Sequence, residues 1–434
     1  MLKICMVGTG YVGLVSGACL ADFGNRVICV DVDAERLENI EKGIMPIYEP
    51  GLNELVERNH SAGRLLFTTD LGRAVEESHV IFSAVGTPMR EDGSCDLSFV
   101  YKVAEDISAH IKEDKVFVQK STVPVGTSEE VGDIIRKRVP GSVTIDRVSN
   151  PEFLREGSAI EDFMRPNRVV IGVESDHARE IMQEVYRPLY LLETPLVFTS
   201  IRTAELIKYA SNSFLATKIS FINEMADLCE KVGANIDEVA KAMGLDRRIG
   251  SKFLHAGIGY GGSCLPKDVS AIIHTAREVK VPLRVINAVS DVNESRVTIM
   301  LDKIDSEMPD LENAVIGVLG LAFKPNTDDI REAPALKLID ALLERGAAVR
   351  AYDPAAMQNT RALYGDRITL CDDSYSAAEG VDALLITTEW NEFRVLDFEK
   401  VKALMRKHLV FDCRNIYKPD RMKAMGFTYH SFGR

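Results

Sequence analysis

The stretch Gly257-Ile258-Gly259-Tyr260-Gly261-Gly262-Ser263-Cys264-Leu265-Pro266-Lys267-Asp268 sets a cysteine directly behind four glycines in six residues. Such a run would break a helix or a strand, so its backbone is shaped for close approach or unusual dihedral angles. Cys264 has a cation at Lys267 and a carboxylate at Asp268 close by, partners that a buried core thiol would not want. A helix beginning near Pro266 puts Cys264 at a positive N-terminus, where a thiolate is favoured. The chemistry expected is nucleophilic, and the competing reading is an inert loop cysteine. Lys208 and Asn212 stand four apart, on one face of a helix, with Glu205 on the same side. Such a Lys/Asn pair can hold a developing oxyanion by charge and hydrogen bond. A solvated polar face is the plainer alternative, but the flanking Ala210-Ser211 and Phe214-Leu215-Ala216 argue for a buried helix, where a lone lysine is costly.

A second centre lies at the N-terminus. Gly8-Thr9-Gly10-Tyr11-Val12-Gly13 follows the apolar run 3–7 and precedes a helical pattern, and Asp31 ends the next apolar run, 18 residues after Gly13. That context turns a weak glycine pattern into a dinucleotide-binding expectation, with the pyrophosphate at a helix N-terminus. Asp31 can bond a ribose 2′-hydroxyl and would repel a 2′-phosphate, so NAD is favoured over NADP. Gly86-Thr87-Pro88 and Ser121-Thr122-Val123-Pro124-Val125-Gly126 follow further apolar runs and would face the cofactor, unless they are ordinary turns. Asn150-Pro151-Glu152-Phe153-Leu154-Arg155-Glu156-Gly157 offers two carboxylates four apart, suited to orienting a water or a ribose, or to capping a helix. Farther on, Gly320-Leu321-Ala322-Phe323-Lys324-Pro325 and Asp328-Asp329-Ile330-Arg331 supply basic groups for a phosphate or the cofactor, with a surface role nearly as plausible.

Positioning these groups requires a scaffold. Apolar runs at 3–7, 26–31, 79–85, 115–119, 143–148 and 168–173 read as strands, with helical patterns at 11–24, 99–111 and 128–138 between them. The alternation predicts a parallel sheet covered on both faces. From about residue 200 the pattern becomes helical: one long helix over 203–232, then 236–243, 268–279 and 283–305. Strand patterns return at 314–319, 349–353, 383–387 and 409–412. The fold class expected is α/β: two doubly wound Rossmann-like domains, 1–199 and 307–434, joined by a long-helix central domain, 200–306, with a ligand in a cleft between the α/β domains.

Bulk properties agree. At 434 residues the chain exceeds one typical core, and a net charge of −13 argues against nucleic acid or an anionic membrane as partner. No segment reads as a signal peptide or approaches the roughly 18 apolar residues of a membrane span. The eight cysteines are scattered, without a CxxC pair or a Cys/His metal spacing, which suits the reducing cytoplasm.

Taken together, the N-terminal glycine fingerprint, the 121–126 and 150–157 motifs, Lys208 to Asn212, the 261–268 motif and Phe323-Lys324 with Asp329-Ile330-Arg331 resemble the UDP-glucose 6-dehydrogenase branch of the nucleotide-sugar dehydrogenases. The resemblance spans essentially the full length with no broken motif. It implies a four-electron oxidation of a sugar C6 alcohol to the acid with two NAD. Cys264 would form a thiohemiacetal and then a thioester, Lys208 and Asn212 would support oxyanions, Asp268 with Thr122 would position the water or base, and Glu156 would assist thioester hydrolysis. NAD contacts would come from Gly8, Gly10, Tyr11, Val12, Gly13, Asp31, Arg36, Thr87, Thr122, Glu156, Lys267 and Arg331. The nucleotide sugar would meet Glu152, Phe153, Leu154, Arg155, Lys208, Asn212, Phe253, Leu254, His255, Ala256, Gly257, Gly261 and Lys324. The family further suggests a homodimer through the central helices, or a higher homo-oligomer. The stretch Asp246-Arg247-Arg248-Ile249-Gly250 resembles the UDP-glucose branch more than the GDP-mannose or N-acetylmannosamine branches. Rivals of other classes are a β-hydroxyacid or 6-phosphogluconate type dehydrogenase, which needs no cysteine, and a non-catalytic NAD-sensing or scaffolding protein.

Overall fold

Runs such as Ile4-Cys5-Met6-Val7 and Val27-Ile28-Cys29-Val30 are apolar on both faces, as strands lying between two helical layers must be. The computed structural model describes residues 1–434, in two units, Met1–Ser211 and Asn212–Arg434. The first unit holds β1 (Lys3–Val7), β2 (Arg26–Val30), β3 (Leu65–Thr68), β4 (Val80–Ser83), β5 (Lys115–Gln119), β6 (Ile145–Ser149), β7 (Val169–Val173) and β8 (Leu196–Thr199). They form one sheet in the order β3-β2-β1-β4-β5-β6-β7-β8. Strand order reverses between β1 and β4, and β1 pairs in parallel register with β2 on one side and β4 on the other, Lys3 opposite Arg26 and Ile4 opposite Val80. In sheets of this kind ligands bind at that reversal, beyond the carboxyl ends of the strands.

The expected parallel sheet has one antiparallel pair. β6 and β7 are antiparallel, with Val148 opposite Val173. The segment between them carries only the six-residue helix Ala159–Met164, so the chain turns back where β6 ends instead of crossing the sheet. The result keeps residues 150–157 at the carboxyl edge.

The second unit begins within the long helix Ile201–Val232 and continues through helices Ile236–Gly244, Leu265–Glu278 and Arg284–Glu307. Its sheet comprises β9 (Val315–Leu319), β10 (Ala348–Tyr352), β11 (Thr369–Leu370), β12 (Ala383–Ile386), β13 (Leu409–Asp412) and β14 (Thr428–His430). The order is β11-β10-β9-β12-β13-β14, and every pair is parallel. Each unit thus places an aspartate after the second strand of its glycine turn, Asp31 after β2 and Asp353 after β10. Asp353 is wholly buried and is sealed by Leu321 N (2.8 Å), Ala322 N (3.1 Å) and the indole N–H of Trp390 (3.1 Å). Only Asp31 keeps an open side.

Candidate active site

In the first unit the glycine loop between β1 and helix Tyr11–Asp22 is built for a dinucleotide. A Cβ at Gly13 would stand 1.9 Å from the carbonyl oxygen of Gly8, so only glycine lets the helix press against the turn. Gly10 has nothing within 4 Å of a Cβ position and gives the helix no side-chain cap. Backbone donors and open space therefore coincide, as an anionic pyrophosphate requires. Asp31 accepts from Thr9 N (2.8 Å), Thr9 Oγ1 (2.7 Å) and Asp33 N (3.1 Å), with Arg36 at 3.4 Å. Burial alone would raise its carboxyl, but these donors hold it below the usual carboxylate range. A charged acceptor, suited to a ribose hydroxyl, thus stands just past the end of β2. The next two loops join: Thr87 Oγ1 donates to Thr122 O at 3.1 Å, and Ser121 Oγ donates to Val85 O at 2.7 Å.

At the end of β6, Glu152 is buried and ion-paired with Lys208 at 2.9 Å, with side-chain exposures of 5% and 4%. Burial would push the Glu152 carboxyl up; Lys208, Leu154 N and Lys120 together hold it below the ordinary range. Lys208 also lies 5.2 Å from the centre of the Phe153 ring. Lys120 is buried beside them, donating to Asn150 Oδ1 at 3.1 Å, and burial pushes its ammonium down to about 8. The buried lysine expected on the long helix is therefore real, and it is compensated.

In the second unit Cys264 is the N-cap of helix Leu265–Glu278, whose first turn holds Pro266. Of the eight cysteines it alone is not buried. Burial pushes the Cys5 thiol up to about 12 and raises Cys19, Cys29, Cys371 and Cys413 as well. One turn into the helix, Asp268 is buried and accepts from Asn212 Nδ2 (2.6 Å) and Lys267 Nζ (2.6 Å). The glycines ahead of Cys264 are required by neighbours. Gly262 has φ +83°, its N–H donates to Arg331 O at 2.9 Å, and a Cβ there would lie 2.7 Å from the Phe323 ring. The thiol consequently sits beside a helix N-terminus, on a backbone fixed from both sides.

Family models cover most of the chain. Residues 2–190 match the NAD binding domain of the UDP-glucose/GDP-mannose dehydrogenase family, 202–295 its central domain and 317–419 its UDP binding domain. The chain belongs to the UDP-glucose/GDP-mannose dehydrogenase family. It is 55% identical over 438 residues to a UDP-glucose 6-dehydrogenase of Rhizobium meliloti, covering 100% of both chains. Among solved structures, a UDP-glucose dehydrogenase from the archaeon Pyrobaculum islandicum matches with a TM-score of 0.92 at 39% identity, over 99% of this chain and 97% of that one. A UDP-D-ManNAc dehydrogenase from Pyrococcus horikoshii matches at 0.87 and 28% identity, over 99% of each. NAD is the cofactor of this family's N-terminal domain, in keeping with the charged Asp31.

The remaining residues expected from the sequence fall into distinct settings. Glu156 is half-buried on the turn before Ser158, whereas Arg155 is exposed and pairs with Asp162 at 2.6 Å. Leu254 and Ala256 bury their side chains in the second unit's core, so a ligand along 253–257 would meet their backbone; His255 is exposed and Phe253 has φ +66°. Arg331 is forked onto Asp329 (2.8 and 2.7 Å), and Lys324 lies 5.3 Å from the Phe323 ring centre. Glu205 belongs elsewhere: it caps helix Thr127–Arg136 through Gly126 N (2.7 Å) and Ser128 N (2.8 Å). Sequence reasoning missed Lys120, Glu49 and Arg414. Arg414 donates to Thr387 O (2.9 Å), Gly259 O (3.0 Å) and Phe323 O (3.1 Å), tying the glycine run to the carboxyl edge of the second sheet.

Proposed function

We propose that the chain oxidises the C6 alcohol of UDP-glucose to the carboxylate of UDP-glucuronate in two NAD-dependent steps, through an intermediate bound to Cys264. The observation that carries this reading is the half-exposed thiol at the head of helix Leu265–Glu278, one turn from the Asn212–Asp268–Lys267 chain. Sugar choice rests on likeness: 55% identity to the Rhizobium UDP-glucose enzyme against 28% to the archaeal UDP-D-ManNAc enzyme. A β-hydroxyacid type dehydrogenase would have no use for Cys264.

NAD supplies the hydride acceptor for both oxidations. Lys208 and Asn212, one turn apart on a single helix, support the alkoxide as the C6 alcohol goes to the aldehyde level. The Cys264 thiolate adds to the aldehyde carbon, forming a C–S bond and an oxyanion that takes a proton. Transfer of hydride from that carbon and loss of the proton from its hydroxyl oxygen restore the C=O bond and give the thioester. Asp268, with Thr122, positions the attacking water, and Glu156 assists as the C–S bond breaks and the thiolate and carboxylate separate. Covalent capture keeps the aldehyde from leaving between the two oxidations. The work is divided among residues 1–199 for NAD, 200–306 for assembly and 307–434 for the nucleotide. Purified protein should form two NADH per UDP-glucose consumed; a ratio of one, with aldehyde released, refutes the covalent route.

The chain also assembles as a homodimer through the central helices. On helix Ile201–Val232 the exposed Leu206, Phe214, Phe221 and Leu228 recur about every two turns on one face, and Val285 on the Arg284–Glu307 helix is also exposed. Light scattering at micromolar concentration should give twice the 48.0 kDa chain mass; a monomer overturns this. No helix is long and apolar enough to cross a membrane, and the scatter of cysteines through apolar runs supports the cytoplasm as compartment.

A further inference from the structure

Glu49 lies just ahead of the helix Leu52–Ser61 and is buried, yet it belongs to none of the motifs above. Its Oε1 accepts from Ala159 N (2.8 Å) and Ile160 N (3.4 Å), and its Oε2 accepts from Gly157 N (2.6 Å) and from the Tyr11 hydroxyl. Tyr11 Oη accepts from Gly157 N as well, at 2.9 Å. Helix Ala159–Met164 has Ser158 at its N-cap, but that side chain makes no capping bond. Glu49 does the capping instead, from another part of the chain.

Two features make this more than a cap. Tyr11 is the first residue of helix Tyr11–Asp22, inside the glycine fingerprint, so its backbone belongs to the pyrophosphate end and its side chain to Glu49. Gly157 N belongs to the peptide that follows Glu156, so the pair holds the peptide plane on which Glu156 sits. Burial and Glu49 keep the Tyr11 phenol far above its ordinary value, hence a neutral donor throughout the working range. A rigid ring with two rotatable bonds thus spans the cofactor loop and the turn carrying Glu156.

We propose that Tyr11 and Glu49 are a positioning pair that couples seating of the dinucleotide pyrophosphate to placement of the Glu156 carboxylate. The proposal rests on the reading that Glu156 assists thioester hydrolysis, and two readouts separate the ideas. Hydrogen exchange across 155–162 is measured with and without saturating NAD in the parent, Tyr11→Phe and Glu49→Gln. NAD should slow exchange at 157–160 in the parent and fail to do so in Tyr11→Phe, which keeps the ring and loses only the hydroxyl. Intact-protein mass during turnover is read in parallel. Tyr11→Phe and Glu156→Gln should both accumulate a thioester on Cys264, with hydrolysis slowed about tenfold in Tyr11→Phe, the size of one lost net hydrogen bond. Equal protection by NAD in parent and Tyr11→Phe overturns the coupling and leaves a purely structural cap. Lost protection in Tyr11→Phe without any adduct in Glu156→Gln upholds the coupling and sinks the role of Glu156. If Glu49→Gln, which keeps a side-chain acceptor, lacks the protection by NAD as Tyr11→Phe does and yet shows parent-like thioester levels, the pair does not act as proposed.

Discussion

Replacing Cys264 with serine is expected to lower turnover to the acid by more than about a thousandfold, beyond the roughly 10²–10³ loss that removal of one oxyanion donor causes. A serine hydroxyl ionises far less readily than a thiol and leaves poorly, so any hemiacetal or ester it forms turns over slowly. On the proposed route the first oxidation draws on Lys208 and Asn212 but not on the thiol, so release of one NADH equivalent should survive at reduced rate. Wild-type protein quenched with substrate should carry the adduct on Cys264 alone. The other seven cysteines are buried, and for Cys5 burial pushes the thiol up to about 12. Two NADH per sugar from Cys264→Ser or Cys264→Ala at near-parent rate would make Cys264 a packing residue and route the second oxidation through an aldehyde hydrate.

Strands buried on both faces were legible because nothing but continuous apolar sequence can occupy them. The four strands that the apolar pattern does not reveal are the four sheet edges, β3, β8, β11 and β14. Each has at most one buried residue, as in Leu196–Thr199, and β11 is two residues long. An edge strand has one neighbour and partial cover, so its sequence need not be apolar. The antiparallel β7 escaped for another reason: strand direction follows from where the connection returns, and composition does not carry that.

The site divides the same way. Cys264, Lys208, Asn212 and Asp31 stand out as candidates because each breaks a local rule, a thiol behind glycines, polar groups on an apolar helix or a carboxylate ending an apolar strand. Glu49, Lys120 and Arg414 sit in unremarkable local sequence. Their importance comes from partners far along the chain: Glu49 with Gly157, Lys120 with Asn150 and Arg414 with Gly259. Glu205 shares the helix face of Lys208, but its partner is the turn at Gly126, which the spacing does not report. Spacing reports which residues share a face; it does not report what faces them.

Lys208→Met should lower both activity and stability, and the two losses can be pulled apart. Methionine keeps most of the stem and removes the ammonium, so oxyanion support falls and kcat should drop about 10²–10³-fold. Stability should fall by about 3–5 kcal/mol, because Glu152 is left buried without its principal partner. Lys120, which also acts on Glu152, favours the lower end. The pH dependence has a definite sign. In the parent the Glu152 carboxyl lies below the ordinary value of about 4.3, so its pairing stabilises the fold above that pH and fades as acid protonates it. Without Lys208, burial pushes the carboxyl above that value. The variant is then penalised most at neutral and alkaline pH, and its deficit against the parent should shrink on acidification toward pH ~5. Adding Glu152→Gln removes the stranded charge, so the double variant should regain most of the stability but none of the activity. Urea unfolding between pH 5 and 8 with steady-state kinetics on the same samples makes the comparison. A single variant within tenfold of parent kcat would remove Lys208 from the chemistry, and a deficit that grows on acidification would show that Glu152 is not the stranded group.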